Sequence, residues 1–197
     1  MDTVIELYCR DQIIRGELPN DRDRPLDLLN STLQRVLLLQ NASVLSLYHD
    51  GEPMAVGAAR VQKEQILLAI PYDAPKTPGK FRGGWVDKKP VRVVVGVGPL
   101  TVTGTLHFGK WDESTLEMLG RDDDGRSFLP ATEASITLLY RADWSIVRPT
   151  VLLSRAAIEY WSPLSTVSER SLNPEAVALE EFYRRFRPVG PSARATG

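Results

Sequence analysis

The chain has 197 residues, of which 43% are hydrophobic and 25% are charged, and its formal net charge is −1 at pH 7. This is the composition of an ordinary soluble globular protein, and its charge provides no overall field that would attract nucleic acid or an anionic membrane. Cys9 is the only cysteine, which excludes an internal disulfide and a cysteine metal cluster. The sequence contains no run of eighteen consecutive apolar residues, which is the length that a helix needs to span a bilayer.

The first 70 residues predict a small β-barrel. Short strands are predicted at 4–8, 13–18, 36–39, 43–48, 55–61 and 66–70. The sequence of residues 25–30 predicts one helical turn, because proline suits the first position of a helix. Residues 49–52 contain an Asp-Gly pair, which accepts positive φ and indicates a hairpin turn.

A second barrel is predicted over 91–163, after a linker at 71–90. The linker contains four prolines and three glycines, which interrupt regular structure. Beyond it, strands are predicted at 91–96, 100–108, 127–129, 135–140, 150–153 and 158–161, with a short helix near 112–119. Many short strands separated by turn signals are typical of barrels, and closure of a barrel removes exposed edges.

The C-terminal segment has a different pattern. Asn173 and Pro174 form a helix start, and a helix is predicted over 173–187. An apolar face at helical spacing consists of Leu179, Phe182, Tyr183 and Phe186. Residues 188–197 are predicted to be a disordered tail.

The two predicted barrels share a sequence pattern. Gly-Glu-Leu at 16–18 returns as Gly-Thr-Leu at 104–106, an offset of 88 residues, and Ala-Ser-Val at 42–44 returns as Ala-Ser-Ile at 134–136, an offset of 92. The offset changes only in polar or turn-rich stretches, where insertions are tolerated. The sequence therefore predicts a mainly β protein: two tandem small barrels of SH3 or Sm-like type, related by internal duplication, plus a C-terminal helix.

Two resemblances support that prediction. Leu-Asp-Leu-Leu-Asn at 26–30 and Phe-Leu-Pro-Ala-Thr-Glu-Ala at 128–134 resemble an uncharacterised bacterial small β-barrel domain, which implies no known activity. Residues 16–18, with Asn30, 36–39 and Ala42, are distantly similar to the first signature of Sm-like barrels. The segment 152–158 is similar to the second signature, with Ala156 where a glycine follows the arginine. The Sm-like resemblance implies an SH3-type barrel and RNA binding.

The linker is a candidate binding segment. It carries five cations against two acids, with two aromatic residues between them. Cations beside stacking rings suit single-stranded nucleic acid or a phosphorylated partner, and a solvated linker is the alternative. The candidate residues are Lys76, Lys80, Phe81, Arg82, Trp85, Lys88 and Lys89.

Trp144 and the C-terminal helix complete the candidate partner surface. Tryptophans of the second barrel suit either a partner site or a core and an interdomain contact. The apolar face of the helix could dock on its own domain or on another subunit.

The residues that commonly carry catalysis are scarce. Cys9, His49 and His107 are the only thiol and imidazoles, and nothing in the pattern brings them together. Residues 121–126 lack the alternating acids and terminal glutamate of a calcium loop and predict a polar hairpin. We therefore expect no catalytic site, cofactor or bound metal.

These observations favour a non-enzymatic structural or protein-interaction protein, with an adaptor or assembly role. A protein partner or self-association into a homo-oligomer is expected, through sheet edges or the C-terminal helix. The alternatives are an Sm-like nucleic-acid-binding module that uses the basic linker, which the net charge disfavours, and an enzyme without a recognisable motif. The N-terminus lacks the pattern of a signal peptide, so a cytoplasmic location without membrane insertion is expected.

Overall fold

The described part of the chain is mainly β strand, as the sequence predicts. The computed structural model describes residues 3–19, 24–72, 88–109 and 127–164. Its elements, in chain order, are β1 (Thr3–Tyr8), β2 (Gln12–Leu18), α1 (Pro25–Asn30), β3 (Val36–Ser46), β4 (Met54–Gln62), β5 (Leu68–Pro71), β6 (Lys88–Val97), β7 (Leu100–Gly109), β8 (Phe128–Leu138), β9 (Arg141–Ser154) and β10 (Ile158–Pro163). Single 3-10 turns precede β5 at Lys63–Gln65 and β10 at Arg155–Ala157.

The strands form one open antiparallel sheet in the order β10-β6-β7-β8-β9-β5-β1-β2-β3-β4. We call β1–β5 the first half and β6–β10 the second half. The halves join because Leu68 of β5 pairs with Tyr8 of β1 on one side and with Leu153 of β9 on the other. The prediction of two separately closed barrels stays a prediction.

Strand pairing within one half recurs in the other at the sequence offsets. In the first half, Ile5 lies opposite Gly16 between β1 and β2. In the second half, Val93 lies opposite Gly104 between β6 and β7, and both residues stand 88 positions later. Because a shift of one residue would turn every side chain to the other face, a shared register preserves the same inward positions.

The later strands also repeat their register. Leu37 pairs with Val61 between β3 and β4, and Leu129 pairs with Leu153 between β8 and β9, at an offset of 92. β3 and β8 each contain one residue in the left-handed region at the same position of the pattern. These residues are Asn41 (φ 48°) and Glu133 (φ 50°).

The hydrophobic core consists of two clusters that exchange side chains between the halves. Leu68 and Ile70 of β5 pack with residues from β6 to β9. Phe128 and Leu152 of the second half pack among residues of β1 to β5. Because burial of a large apolar side chain contributes roughly 1.5–3 kcal/mol, this exchange couples the stability of the two halves.

Several elements differ from their predicted form. β3 was expected as two strands broken near Asn41, but it is one strand, since the positive φ of Asn41 is accommodated by a register shift without ending the pairing. The helix predicted at 25–30 is confirmed. β6 begins at Lys88, within the segment predicted as linker. The short helix near 112–119, the helix over 173–187 and the tail at 188–197 lie outside the described residues.

Candidate interaction surfaces

The inner joint is the antiparallel pairing of β5 with β9, which links the halves through backbone hydrogen bonds. Leu68 lies opposite Leu153, and Ala69 lies opposite Leu152. Beyond these pairs, the Ser154 N–H donates to the Leu67 carbonyl at 2.9 Å. The pairing of β5 with β9 therefore joins the two halves in one fixed register.

A polar cluster accompanies the inner joint on its exposed face. The Tyr72 hydroxyl donates to Glu6 Oε2 at 2.7 Å and accepts from Arg148 Nη2 at 3.0 Å. Arg15 forms an ion pair with the other oxygen of Glu6, at 3.5 Å. One hydroxyl thus connects an acid of β1 to a base of β9, which cross-links the halves by side chains as well as by backbone.

Burial disfavours ionisation of Tyr72 and of the nearby Tyr8, whose hydroxyl lies 3.4 Å from Glu6 Oε2. The guanidinium carbons of Arg15 and Arg148 lie 5.0 and 5.4 Å from the ring centroid of Tyr72. Burial, followed by the nearby Glu6, raises the pKa values of Tyr72 and Tyr8 above their ordinary range. A raised pKa disfavours the phenolate, so neither hydroxyl is activated as a nucleophile or a base. The arrangement fits a structural cross-link.

Two further contacts join the halves, between the β3–β4 loop and the residues where β8 turns into β9. Arg141 Nη1 lies 2.7 Å from Asp50 Oδ1. The rings of Tyr48 and Tyr140 lie 6.1 Å apart between centroids. Exposed ion pairs contribute little energy, so these contacts set orientation more than stability.

β4 is one of the two edge strands of the sheet, and it is long and apolar. Its sequence, Met-Ala-Val-Gly-Ala-Ala-Arg-Val-Gln, contains a single charge. Met54 is 62% exposed and Val56 is 38% exposed. Natural edge strands are usually short, charged, interrupted by proline or covered, because their free backbone groups template pairing with another strand. β4 is neither short nor interrupted by proline, and Arg60 is the one charge in its nine residues.

The outward backbone groups of β4 follow from the strand alternation. The Lys63 N–H donates to the Arg35 carbonyl at 3.0 Å, so this group faces β3. Backbone groups alternate sides along a strand, which directs those of Gln62 and Arg60 away from β3. Within the described residues, no strand pairs with this side.

β10 is the other edge strand, and two aromatic residues lie on it. Leu164 N–H donates to the Arg92 carbonyl at 2.9 Å, so the groups of Ser162 and Tyr160 face β6. The N–H of Trp161 therefore faces the free edge, whereas Pro163 has no N–H to offer. Tyr160 is 47% exposed.

Only three of the predicted partner residues lie in the described part of the chain. Lys88 and Lys89 are exposed at the start of β6. Trp144 is partly buried on β9, with its ring edge-on to Tyr8 at 6.4 Å, so it contacts the first half. The remaining nine lie outside the described residues: Lys76, Lys80, Phe81, Arg82, Trp85, Leu179, Phe182, Tyr183 and Phe186.

Each imidazole lies near a hydroxyl, and the thiol is partly buried. His49 Nδ1 lies 3.2 Å from Ser46 Oγ, and His107 Nε2 lies 2.9 Å from Thr132 Oγ1. Burial raises the pKa of the Cys9 thiol, which disfavours the reactive thiolate. Across the described ranges, no three or more His, Cys, Asp or Glu residues are grouped so as to hold a metal ion.

Sequence reasoning missed the polar cluster of Glu6, Tyr72 and Arg148. At the offsets of the repeated pattern, their counterparts are Val94, Leu164 and Val56. A comparison of the two halves would have marked these three positions, each polar in one half and apolar in the other, without showing that they meet.

No helix among the residues described here has the length and hydropathy needed to cross a bilayer. Comparisons with protein-family models, with curated proteins and with solved structures found no match to this chain.

Proposed function

We propose that this protein is a non-enzymatic interaction and assembly protein, whose edge strands bind a protein partner by strand addition. In this mode, an added strand forms main-chain hydrogen bonds with a free sheet edge, and side chains beside the edge provide specificity. Its activity is therefore recognition by a surface rather than chemistry at a pocket.

The observation that carries this proposal is the edge of β4. Among the described strands none pairs with the outward backbone groups of Arg60 and Gln62, and the side chains of Met54 and Val56 are exposed. An edge of this length and composition is an aggregation hazard unless a partner covers it. A partner that pairs with β4 would satisfy both the polar backbone and the apolar surface.

We further infer that the two halves are copies of one small β unit, of the SH3 or Sm-like type. The proposal is supported by the matching registers, by the positive φ at Asn41 and Glu133, and by the 3-10 turns Lys63–Gln65 and Arg155–Ala157 before the last strand of each half. Independent origin of these features at equivalent positions is improbable, since residues with unusual backbone conformations persist only where the surrounding structure requires them.

The experiment compares Arg60→Pro with Arg60→Ala in the full chain. Proline removes the outward N–H of β4, whereas alanine removes the side chain and keeps that N–H. We expect partner capture from a lysate, and self-association measured by light scattering, to be weakened in Arg60→Pro and retained in Arg60→Ala. A wild-type chain that is strictly monomeric and captures no protein would overturn the proposal.

A further inference from the structure

We propose that the occupant of the β4 edge is β10 of a second copy of this chain, in a pairing that repeats the inner joint. The inference rests on the proposed function and names its partner. It requires that β10 correspond to β5, that β4 correspond to β9, and that the outward groups of both edges match.

β10 corresponds to β5 in its pairing with the first strand of its half. Ala69 of β5 lies opposite Leu7 of β1, and Trp161 of β10 lies opposite Val95 of β6. The strand residues differ by 92 positions and their partners by 88, as in the repeated sequence pattern. Among the strands that the structure describes, β5 is paired on both sides and β10 on one.

β4 corresponds to β9 in the same way. Ala59 lies opposite Leu39 of β3, and Val151 lies opposite Ala131 of β8, at the offset of 92. Both strands are the last to pair along the order β1-β2-β3-β4 or β6-β7-β8-β9. The outer edges of this chain are therefore the two strand types that already bind each other at the inner joint.

We call the proposed pairing of β10 in one copy with β4 in the next the outer joint. The register of the inner joint, shifted by the repeat offset of 92, gives the residue pairs of the outer joint. The pair of Ala69 with Leu152 becomes Trp161 of one copy with Arg60 of the next. The bond from Ser154 N–H to the Leu67 carbonyl becomes one from Gln62 N–H to the Glu159 carbonyl.

The free backbone groups agree with this register. The alternation within β4 and β10 directs Arg60, Gln62 and Trp161 outward, as derived above from the bonds that face β3 and β6. The transferred register pairs Arg60 with Trp161, and Gln62 with Glu159, which lies at the register shift between Ile158 and Tyr160. A register displaced by one residue would bring together groups that are already bonded to β3 or β6.

Side-chain chemistry also fits this pairing. The transferred register places the basic Arg60 diagonal to the acidic Glu159, a favourable cross-strand arrangement. The counterparts of the charged pair Glu6 and Arg148 are Val94 and Val56, so the outer joint buries apolar surface where the inner joint forms polar contacts. Leu164 beside them is 42% exposed, and pairing would cover it.

The joint is heterologous, because one copy contributes β10 and the next contributes β4. Repetition of such a contact produces a closed ring or an open filament. In a ring every copy has both edges paired, and in a filament every copy except the two at the ends does.

The first test measures the mass of the full chain by light scattering over a range of concentrations. We expect the wild type and Arg60→Ala to form multiples of the 22.0 kDa monomer. Arg60→Pro should weaken association by about tenfold or more, as expected when a main-chain hydrogen bond is replaced by an unpaired, desolvated carbonyl. Circular dichroism and thermal unfolding establish that Arg60→Pro is folded.

The second test fixes the register without relying on a disruptive variant. The exposed pair Glu159→Cys with Gln62→Cys should form intermolecular disulfides on mild oxidation. The control pair Glu159→Cys with Glu52→Cys, and each single variant, carry the same native Cys9 and should cross-link at least tenfold less.

The outcomes separate this inference from the proposed function. A monomeric wild type that captures another protein through β4, with loss in Arg60→Pro, overturns the inference and leaves the proposed function standing. A monomer that captures nothing overturns both. Association of Arg60→Pro as strong as that of the wild type, or equal cross-linking of the control pair, also overturns the pairing of β4 with β10.

Discussion

Asn30 binds both backbone groups of Phe128 across the two halves of the sheet. Its Nδ2 donates to the Phe128 carbonyl at 3.1 Å, and its Oδ1 accepts from the Phe128 N–H at 2.7 Å. Phe128 starts β8, and its side chain is fully buried in the cluster formed mainly by the first half. The side-chain amide of Asn30 therefore fixes the first residue of β8, whose ring packs in that cluster.

Removal of that amide should destabilise the whole described unit. We expect Asn30→Ala to lower the free energy of unfolding by about 1–3 kcal/mol, because it leaves buried backbone groups of Phe128 without partners. Urea denaturation followed by tryptophan fluorescence measures the change. Asn30→Asp keeps the acceptor and loses the donor, so it should have an intermediate effect. Equal stability of Asn30→Ala and the wild type would contradict this role.

Removal of the Tyr72 hydroxyl should have a smaller effect on the free energy of unfolding. Tyr72→Phe keeps the ring between Arg15 and Arg148 but removes the bonds to Glu6 and Arg148. We expect a loss of roughly 0.5–1.5 kcal/mol in chemical denaturation. Tyr140→Phe is the matched control, since Tyr140 is 74% exposed. A loss that is no larger than in the control would argue against the cross-link.

Burial of Tyr8 predicts a decline of stability in alkaline solution. Burial, then Glu6, raises the pKa of this hydroxyl above its ordinary value of 10.0. The folded state then retains a proton that the unfolded chain releases, so the contribution is fully present below pH 10 and is lost as the pH rises above 10. Unfolding measured from pH 9 to pH 11.5 should show a flatter decline in Tyr8→Phe than in the wild type. Parallel profiles would refute the assignment.

The basic segment provides a test of the nucleic-acid alternative. With a net charge of −1, we expect no retention of single-stranded RNA or DNA at physiological ionic strength. Fluorescence polarisation at low and physiological salt measures it. Binding that weakens with salt, and weakens further when Lys76, Lys80, Arg82, Lys88 and Lys89 are neutralised, would instead favour an Sm-like binding module.

Local signals in the sequence predicted most elements of the fold. Proline at the start of 25–30 identified α1, and the repeated apolar pattern identified the strands of both halves. β9 was underestimated, because Pro149 and the exposed alternating residues before Thr150 resemble a loop more than a strand. Local composition therefore indicates which segments are strands, and it predicts strand length least accurately where one face of the strand is polar.

The joint between the halves could not be predicted from the residues that form it. Leu68 and Leu153 are ordinary apolar strand residues, and nothing in either segment specifies that they lie opposite each other. The polar cluster was missed for the same reason, since Glu6 and Arg148 are 142 positions apart and meet only after β5 has paired with β9. Long-range pairing depends on the assembled sheet rather than on local pattern.

The backbone N–H groups of Arg60 and Gln62 provide the most direct measurement of the edge pairing. Residue-resolved amide hydrogen exchange on the full chain compares a concentrated sample with a dilute one at equal pH. We expect these two groups to exchange slowly when concentrated and quickly when dilute, while the N–H of Lys63, which faces β3, stays protected in both. Fast exchange of Arg60 and Gln62 at every concentration would contradict the pairing of β4 with a second copy.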